Sequence, residues 1–274
     1  MRRWSAKAFR PPPVPDFQCY PIKPEPRTRF QHRTIEITDQ FGTRSARIAR
    51  PFELCAPVSK EGEGIQDPEA HLTCYKLVTR QRDPWRLLGD IDQFTPGSDG
   101  TFFPENLIVG RGAELCFPAV KDCVDDDDRS CDVALEDLQQ RLSHFQCYQA
   151  RSLAEDPFVP GVLTLEDQFG LADSFVGSAI KHCNPLTAKA VDGGGLEELS
   201  VATFPEPEPG ATAFWEGGED VHLKCYDVDS ELRPNRTSVE IRDQLHPDGY
   251  RVRVGRPLQL CEPAVKVLPE ELDD

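Results

Sequence analysis

The sequence predicts an all-β protein made of four tandem small antiparallel β repeats, each pinned by one disulfide, with one short connecting helix. Three observations predict it. A three-part signature is written four times, the ten cysteines fall at regular places, and residues within a copy alternate apolar and polar with the period of a strand.

Each copy opens on a Cys-Tyr pair: Cys19-Tyr20, Cys74-Tyr75, Cys147-Tyr148 and Cys225-Tyr226. His71, His144 and His222 stand three residues ahead of the cysteine in the last three copies, and Asp16 takes that place in the first. The middle signature is Asp39-Gln40-Phe41-Gly42, Asp92-Gln93-Phe94, Asp167-Gln168-Phe169-Gly170 and Asp243-Gln244-Leu245. The copies close on Leu54-Cys55-Ala56-Pro57, Leu115-Cys116-Phe117-Pro118, His182-Cys183-Asn184-Pro185 and Leu260-Cys261-Glu262-Pro263. A lysine follows each closing cysteine: Lys60, Lys121, Lys189 and Lys266.

Taken in order, residues 1–16 are a basic, proline-rich tail with little to bury, expected to be disordered and partly polyproline II. The first repeat spans 17–60 and the second 71–121, and the short join between them suggests that these two pack as a pair. Residues 122–143 form an acidic cysteine loop followed by a helix, whose apolar face is Leu135, Leu138 and Leu142. The third repeat spans 144–189. Residues 190–221, with Gly193-Gly194-Gly195 and alternating Pro and Glu, read as an acidic flexible linker on which Phe214 and Trp215 are the candidates to dock. The fourth repeat spans 222–266. In it Leu223 and Cys225 share one strand face, while Val239 with Ile241, and Val252 with Val254, mark two more strands before Pro257 breaks the pattern. The Asp-Gln-Phe-Gly element falls at the turn between strands, where the Asp side chain caps backbone amides, glycine takes a positive φ and the Phe plugs a small core.

Ten cysteines placed this evenly in loop-rich units read as a disulfide framework, which implies an oxidising compartment. The candidate partners are Cys19 with Cys55, Cys74 with Cys116, Cys147 with Cys183 and Cys225 with Cys261 within copies, and Cys123 with Cys131 between copies. Small units bury too little apolar surface to hold without such staples, so losing one is expected to unfold its own repeat. No apolar stretch is long enough to span a membrane, and no signal peptide is visible at the start, so the expected location is extracellular, cell-surface or periplasmic by a leader or route this sequence does not display.

The net charge of −16 is uneven, because residues 1–60 carry twelve Lys or Arg against five Asp or Glu. A basic first copy and acidic later ones allow head-to-tail self-association, although solubility alone explains the charge. The acidic balance disfavours nucleic acid. No nucleophile elbow, zinc-protease helix or phosphate-binding loop is present, and a non-catalytic protein without a cofactor is expected. Two metal readings stand beside this. His71, His144 and His222 with reduced cysteines would offer three zinc ligands per copy, one short of a structural site. Asp125, Asp126, Asp127 and Asp128 are a calcium candidate, against the plainer reading of a solvated loop. The binding candidates are Tyr20, Tyr75, Tyr148 and Tyr226, as an exposed aromatic ledge or as covered packing residues, together with His71, His144, His222, Lys60, Lys121, Lys189 and Lys266.

The combination His-x-x-Cys-Tyr, Asp-Gln-Phe-Gly and Leu-Cys-x-Pro-x-x-Lys resembles a family of tandem domains in exported bacterial proteins of unknown function. The resemblance implies export and supplies no activity. The expected function is that of a surface, adhesion or recognition protein for a cell-envelope component, a glycan or another protein. The alternatives are a reduced zinc-binding repeat protein, a secreted inhibitor or enzyme accessory domain, and a metal-dependent adhesin.

Overall fold

Each copy follows one path: an opening strand, a hairpin, and a closing strand that returns to the opening one. The computed structural model describes residues 14–26, 28, 30–79, 83–95, 102–122, 133–153, 159–207, 213, 215–234 and 237–268. The first copy contributes β1 (Phe17–Pro24), β2 (Arg33–Asp39), β3 (Gly42–Pro57) and the two-residue β4 (Ser59–Lys60). The second gives β5 (His71–Val78), β6 (Arg86–Ile91) and β7 (Glu105–Asp122), and helix α1 (Leu135–Arg141) follows it. The third gives β8 (Phe145–Ser152), β9 (Gly161–Asp167), β10 (Gly170–Pro185) and β11 (Ala188–Val191), with β12 (Glu197–Glu198) beyond. The fourth gives β13 (His222–Ser230), β14 (Ser238–Asp243), β15 (His246–Val254) and β16 (Gln259–Val267). The all-β class and the short helix agree with the sequence.

In the first three copies the second hairpin strand and the closing strand are one long strand, bent where its register slips. The slips fall at Pro51 in β3, Gly112 in β7 and between Val176 and Ala179 in β10. Proline and glycine weaken a ladder locally, so these are the places where a strand can turn a corner. In the fourth copy the stretch around Pro257 breaks the strand outright into β15 and β16.

Opening and closing strands pair in a closed antiparallel cycle, β1–β3–β5–β7–β8–β10–β13–β16 and back to β1. Closure leaves this inner barrel without an edge. Within each copy the two cysteines are direct cross-strand partners and are bonded: Cys19 to Cys55, Cys74 to Cys116, Cys147 to Cys183 and Cys225 to Cys261. All eight lie in one buried cluster. Neighbouring bridges touch, with Cys19 Sγ 3.7 Å from Cys261 Sγ and Cys116 Sγ 3.9 Å from Cys147 Sγ. Cys123, Cys131 and Asp125 to Asp128 lie outside the described residues.

The period-two rule then fills the barrel in layers. Phe17, Leu72, Phe145 and Leu223, two residues before the opening cysteines, share their face and their cluster. That cluster also takes in Val14, Leu138 and Leu142 of the helical connector, Phe204, Trp215 and Val221, which cap it. Two residues before the closing cysteines stand Glu53, Glu114, Lys181 and Gln259, where Lys181 Nζ bonds Glu53 at 3.1 Å and also Glu114, and Gln259 bonds Glu53 at 2.8 Å.

The hairpins pack around the outside, and each is lengthened by a segment from the copy opposite. β4 adds to β9 and β11 adds to β2, so the first and third copies exchange strands. The end of β7 adds to β14 and that of β16 adds to β6, so the second and fourth do the same. The first two copies meet directly through β3 and β5, as each neighbouring pair does around the ring. The stretch 190–221 is not a loose linker along its described length either: the Phe204 and Trp215 rings stack at 5.0 Å, and Trp215 Nε1 donates to the Pro205 carbonyl at 2.8 Å. Phe214 lies outside the described residues.

Buried charges join particular copies. Lys60 Nζ lies 2.9 Å from both Asp16 and Glu262, His182 Nδ1 lies 2.7 Å from Asp90, and the fully buried Lys224 contacts Asp92 at 3.4 Å and also Glu105.

Candidate functional site

The middle signature builds the turn that its sequence predicts. Asp39, Asp92, Asp167 and Asp243 each accept the backbone N–H two residues on, from Phe41, Phe94, Phe169 and Leu245 at 2.7–2.8 Å. Gly42 and Gly170 complete their turns at φ +110° and +134°, where a side chain is strained. The second carboxylate oxygen does something the sequence did not disclose. It accepts the phenol of the opening tyrosine from the copy opposite: Tyr20 to Asp167, Tyr148 to Asp39 and Tyr226 to Asp92, each at 2.5 Å, and Tyr75 to Asp243. The turn phenylalanine meets the same tyrosine edge-on, as Phe169 does Tyr20, Phe41 does Tyr148 and Phe94 does Tyr226.

The four tyrosines are completely buried, so they form no exposed ledge. An outward-facing aromatic on a barrel strand is wet only if nothing covers that face, and here the hairpins do.

The remaining repeated residues converge at four stations around the barrel. The cross-strand register that aligns the cysteines sets His71 opposite Ala119 and His222 opposite Ala264, two residues from Lys121 and Lys266. The glutamine of the following copy reaches the histidine. Gln168 Nε2 lies 2.7 Å from His71 Nε2, Gln244 sits beside His144, and the cycle closes with Gln40 Nε2 3.4 Å from His222 Nε2. In the first copy Gln93 Nε2 reaches Asp16 Oδ1 at 3.4 Å, which accounts for an acid where the others carry histidine.

Three stations are filled by the chain. Lys60 is buried between Asp16 and Glu262; Lys189 Nζ lies 3.1 Å from His144 Nε2 and 3.4 Å from Glu197; and at the His222–Lys266 station Asp220 accepts from Gln40 at 2.9 Å. The second-copy station lines a pocket of about 540 Å³. His71, Lys121, Asp167 and Gln168 face it, with Ser59, Glu69 and Glu166 on the walls and Ile65, Pro57 and Pro68 as its apolar part.

Burial sets the protonation there. It pushes the His71 imidazole down to about 4, helped by the Lys121 charge, while Nδ1 lies 3.0 Å from the Glu69 carbonyl. The imidazole is thus neutral at pH 7, with Nδ1 donating and Nε2 accepting from Gln168. Burial also raises the Asp167 carboxyl to about 6, against hydrogen bonds from Tyr20 and the amides of Phe169 and Gly170. Both groups are committed to structural hydrogen bonds, and Glu166 and Gln168 beside them are exposed.

The zinc arrangement with free thiolates is replaced by disulfides at all eight described cysteines. Cys19, Cys55 and Glu53 lie close together, yet the two sulfurs are bonded to each other and offer no thiolate. No helix among the described residues is long and apolar enough to cross a membrane. No protein-family profile, curated protein or solved structure matches this chain.

Proposed function

We propose that this is a non-catalytic recognition protein of an oxidising compartment, which binds a small polar ligand in the pocket at His71, Lys121 and Gln168. One observation carries the reading. A histidine, a lysine and a glutamine meet at three places around the barrel, with Asp16 in the histidine's place at the other, and the set at His71, Lys121 and Gln168 lines a pocket of about 540 Å³. That volume falls within the roughly 300–1,000 Å³ of small-molecule sites. The four disulfides support an oxidising setting, since such bonds persist outside reducing compartments. The structural commitments of His71 and Asp167 favour binding over acid–base chemistry, because neither has a proton to exchange without breaking a buried hydrogen bond.

The test is native mass spectrometry of the oxidised full chain after incubation with a small-molecule extract and buffer exchange. The expected result is a retained small molecule that is lost in Ile65→Trp, a substitution at the half-buried pocket wall. Retention of the same molecule by both proteins, or retention by neither, overturns the reading.

A further inference from the structure

We infer that this chain associates with copies of itself head to tail, the outer face of the second-copy hairpin seating against the outer face of the third-copy hairpin of the next molecule. The inference concerns a surface apart from the pocket proposed above and does not rest on it.

Each hairpin covers the inner barrel with one face and turns the other to solvent. In the first copy the solvent face carries Thr34, Glu36, Thr43, Ser45 and Arg47, all exposed. In the fourth it carries Arg251 and Arg253, with Arg251 bridged to Glu240 at 3.2 Å. The other two hairpins turn apolar side chains outward.

In the second copy, Leu87, 43 % exposed, lies opposite Ile108, and Ile108 lies opposite Arg151, in one row across β6, β7 and β8. Trp85, two residues ahead of Leu87, is 67 % exposed with its ring laid over Gly110. A Cβ at Gly110 would overlap that ring, so glycine gives the indole a flat seat. The segment ahead of Trp85 is fastened by Asp83, which accepts the Gly112 N–H at 2.7 Å and forms a buried ion pair with Arg44. The ring is therefore presented in a fixed place. Arg111 and Arg151 are exposed and give this face a positive margin.

In the third copy, Val162, 58 % exposed, lies opposite Phe175, 49 % exposed, and Leu171 lies opposite Glu166, across β9 and β10. Glu166 and Asp173 are exposed on the same face, where Thr164 donates to Asp173 at 2.8 Å. The margin here is negative.

Charge selects the occupant. An apolar strip edged by arginine and another edged by carboxylates can meet with opposite charges facing, whereas two copies of either face would set like against like. The two faces do not cover each other within one molecule. The inner sides of both hairpins enter a single buried cluster, Leu88, Leu107 and Val109 with Leu165 and Val176, so the outer sides point away from it. A contact between two different patches is heterologous, and it adds molecules in a row unless the rotation closes a ring.

The experiment is sedimentation velocity of the oxidised full chain over a dilution series at low and at high salt. The weight-average mass should rise with concentration, and the association should weaken at high salt. Leu87→Glu on one face and Phe175→Lys on the other, both at exposed positions, should each leave the chain monomeric with an unchanged melting temperature. Mixed in equal amounts, these two variants should form a heterodimer and nothing larger, because each keeps the face that the other has lost. Should either lose its cooperative melt, Trp85→Ser or Val162→Lys takes its place in the same mixture. A wild-type chain that stays monomeric up to its solubility limit overturns the inference. So does undiminished self-association in either variant, and so do two monomeric variants that fail to pair when mixed.

Discussion

Tyr20 of the first copy donates its phenol hydrogen to Asp167 of the third at 2.5 Å, and Tyr148 of the third returns the same bond to Asp39 of the first. These bonds cross 147 and 109 residues of sequence. They tie opposite copies together where the middle signature turns the chain.

Removing one phenol leaves a buried carboxylate short of a donor. Tyr20→Phe should therefore cost about 1–3 kcal/mol, the price of an unsatisfied buried acceptor. A double-mutant cycle with Asp167→Asn, read by urea denaturation, should give a coupling of at least about 0.5 kcal/mol. Additive effects would show that the bond contributes nothing to holding the copies together.

The disulfides should act on the whole molecule. Replacing Cys19 and Cys55 by Ala opens a sequence separation of 36 residues, worth about 4 kcal/mol in unfolded-chain entropy. Because the first copy lends β4 to the third and borrows β11 from it, the variant should melt in a single transition at lower temperature. A separate early transition confined to the first copy, seen by hydrogen exchange in β1 to β3, would restore the picture of self-contained repeats expected from the sequence.

The same exchange predicts complementation. Residues 1–122 and 133–274 each lack the partners of their own tyrosines, since every such bond runs between the two pieces. Co-expressed as two polypeptides under oxidising conditions, they should co-purify as a one-to-one complex. Either piece alone should give no cooperative melt. Independent folding of one piece would sink this.

Acid should weaken the fold through the buried imidazoles. His71 and His144 are held at about 4 and about 3, against 6.5 in the open chain, by burial and by the neighbouring Lys121 and Lys189 charges. Between those values and 6.5 the unfolded chain binds more protons, so stability falls as pH drops through that window. Asp167 works in the opposite sense: raised from 3.8 to about 6, it binds more protons folded than unfolded, and its burial penalty is relieved as pH falls through 6. Measured between pH 7 and pH 4.5 and compared with the wild type, the change in urea midpoint should shift toward greater stability at pH 4.5 in His71→Gln with His144→Gln, and toward lower stability there in Asp167→Asn. A pH profile in both variants that matches the wild type would contradict the assignment.

What was legible in the sequence was local or covalent. The turn at Asp39 to Gly42 and the pairing of Cys19 with Cys55 depend on residues within one copy, and the alternation around Cys225 gave the correct strand faces. Alternation does not say whether a face is covered, which is why Tyr20 could read as an exposed ledge when its partner lies 147 residues away. Composition also misled between 190 and 221, where glycine and proline suggested looseness but Phe204 and Trp215 pack into the end of the barrel. The meeting of His71 with Lys121 follows from the strand register once the cysteine pairing is granted. The role of Gln168 had no such signal, because it reaches across to another copy.

Four copies of one strand plan raise a problem of assignment, since any opening strand could in principle take any closing strand as its neighbour. The buried charges remove that degeneracy. Lys60 meets Glu262, whereas the second copy offers Phe117 and the first Ala56 at the equivalent position; Lys224 meets Asp92 and Glu105, whereas the other copies carry Gln18, Thr73 and Gln146 at its place. A copy seated in the wrong quarter would strand a lysine or a carboxylate in the interior, at a cost of several kcal/mol. The charges thus serve as addresses, telling each quarter of the ring which neighbour it has, a choice that these four disulfides, each confined to one copy, do not make.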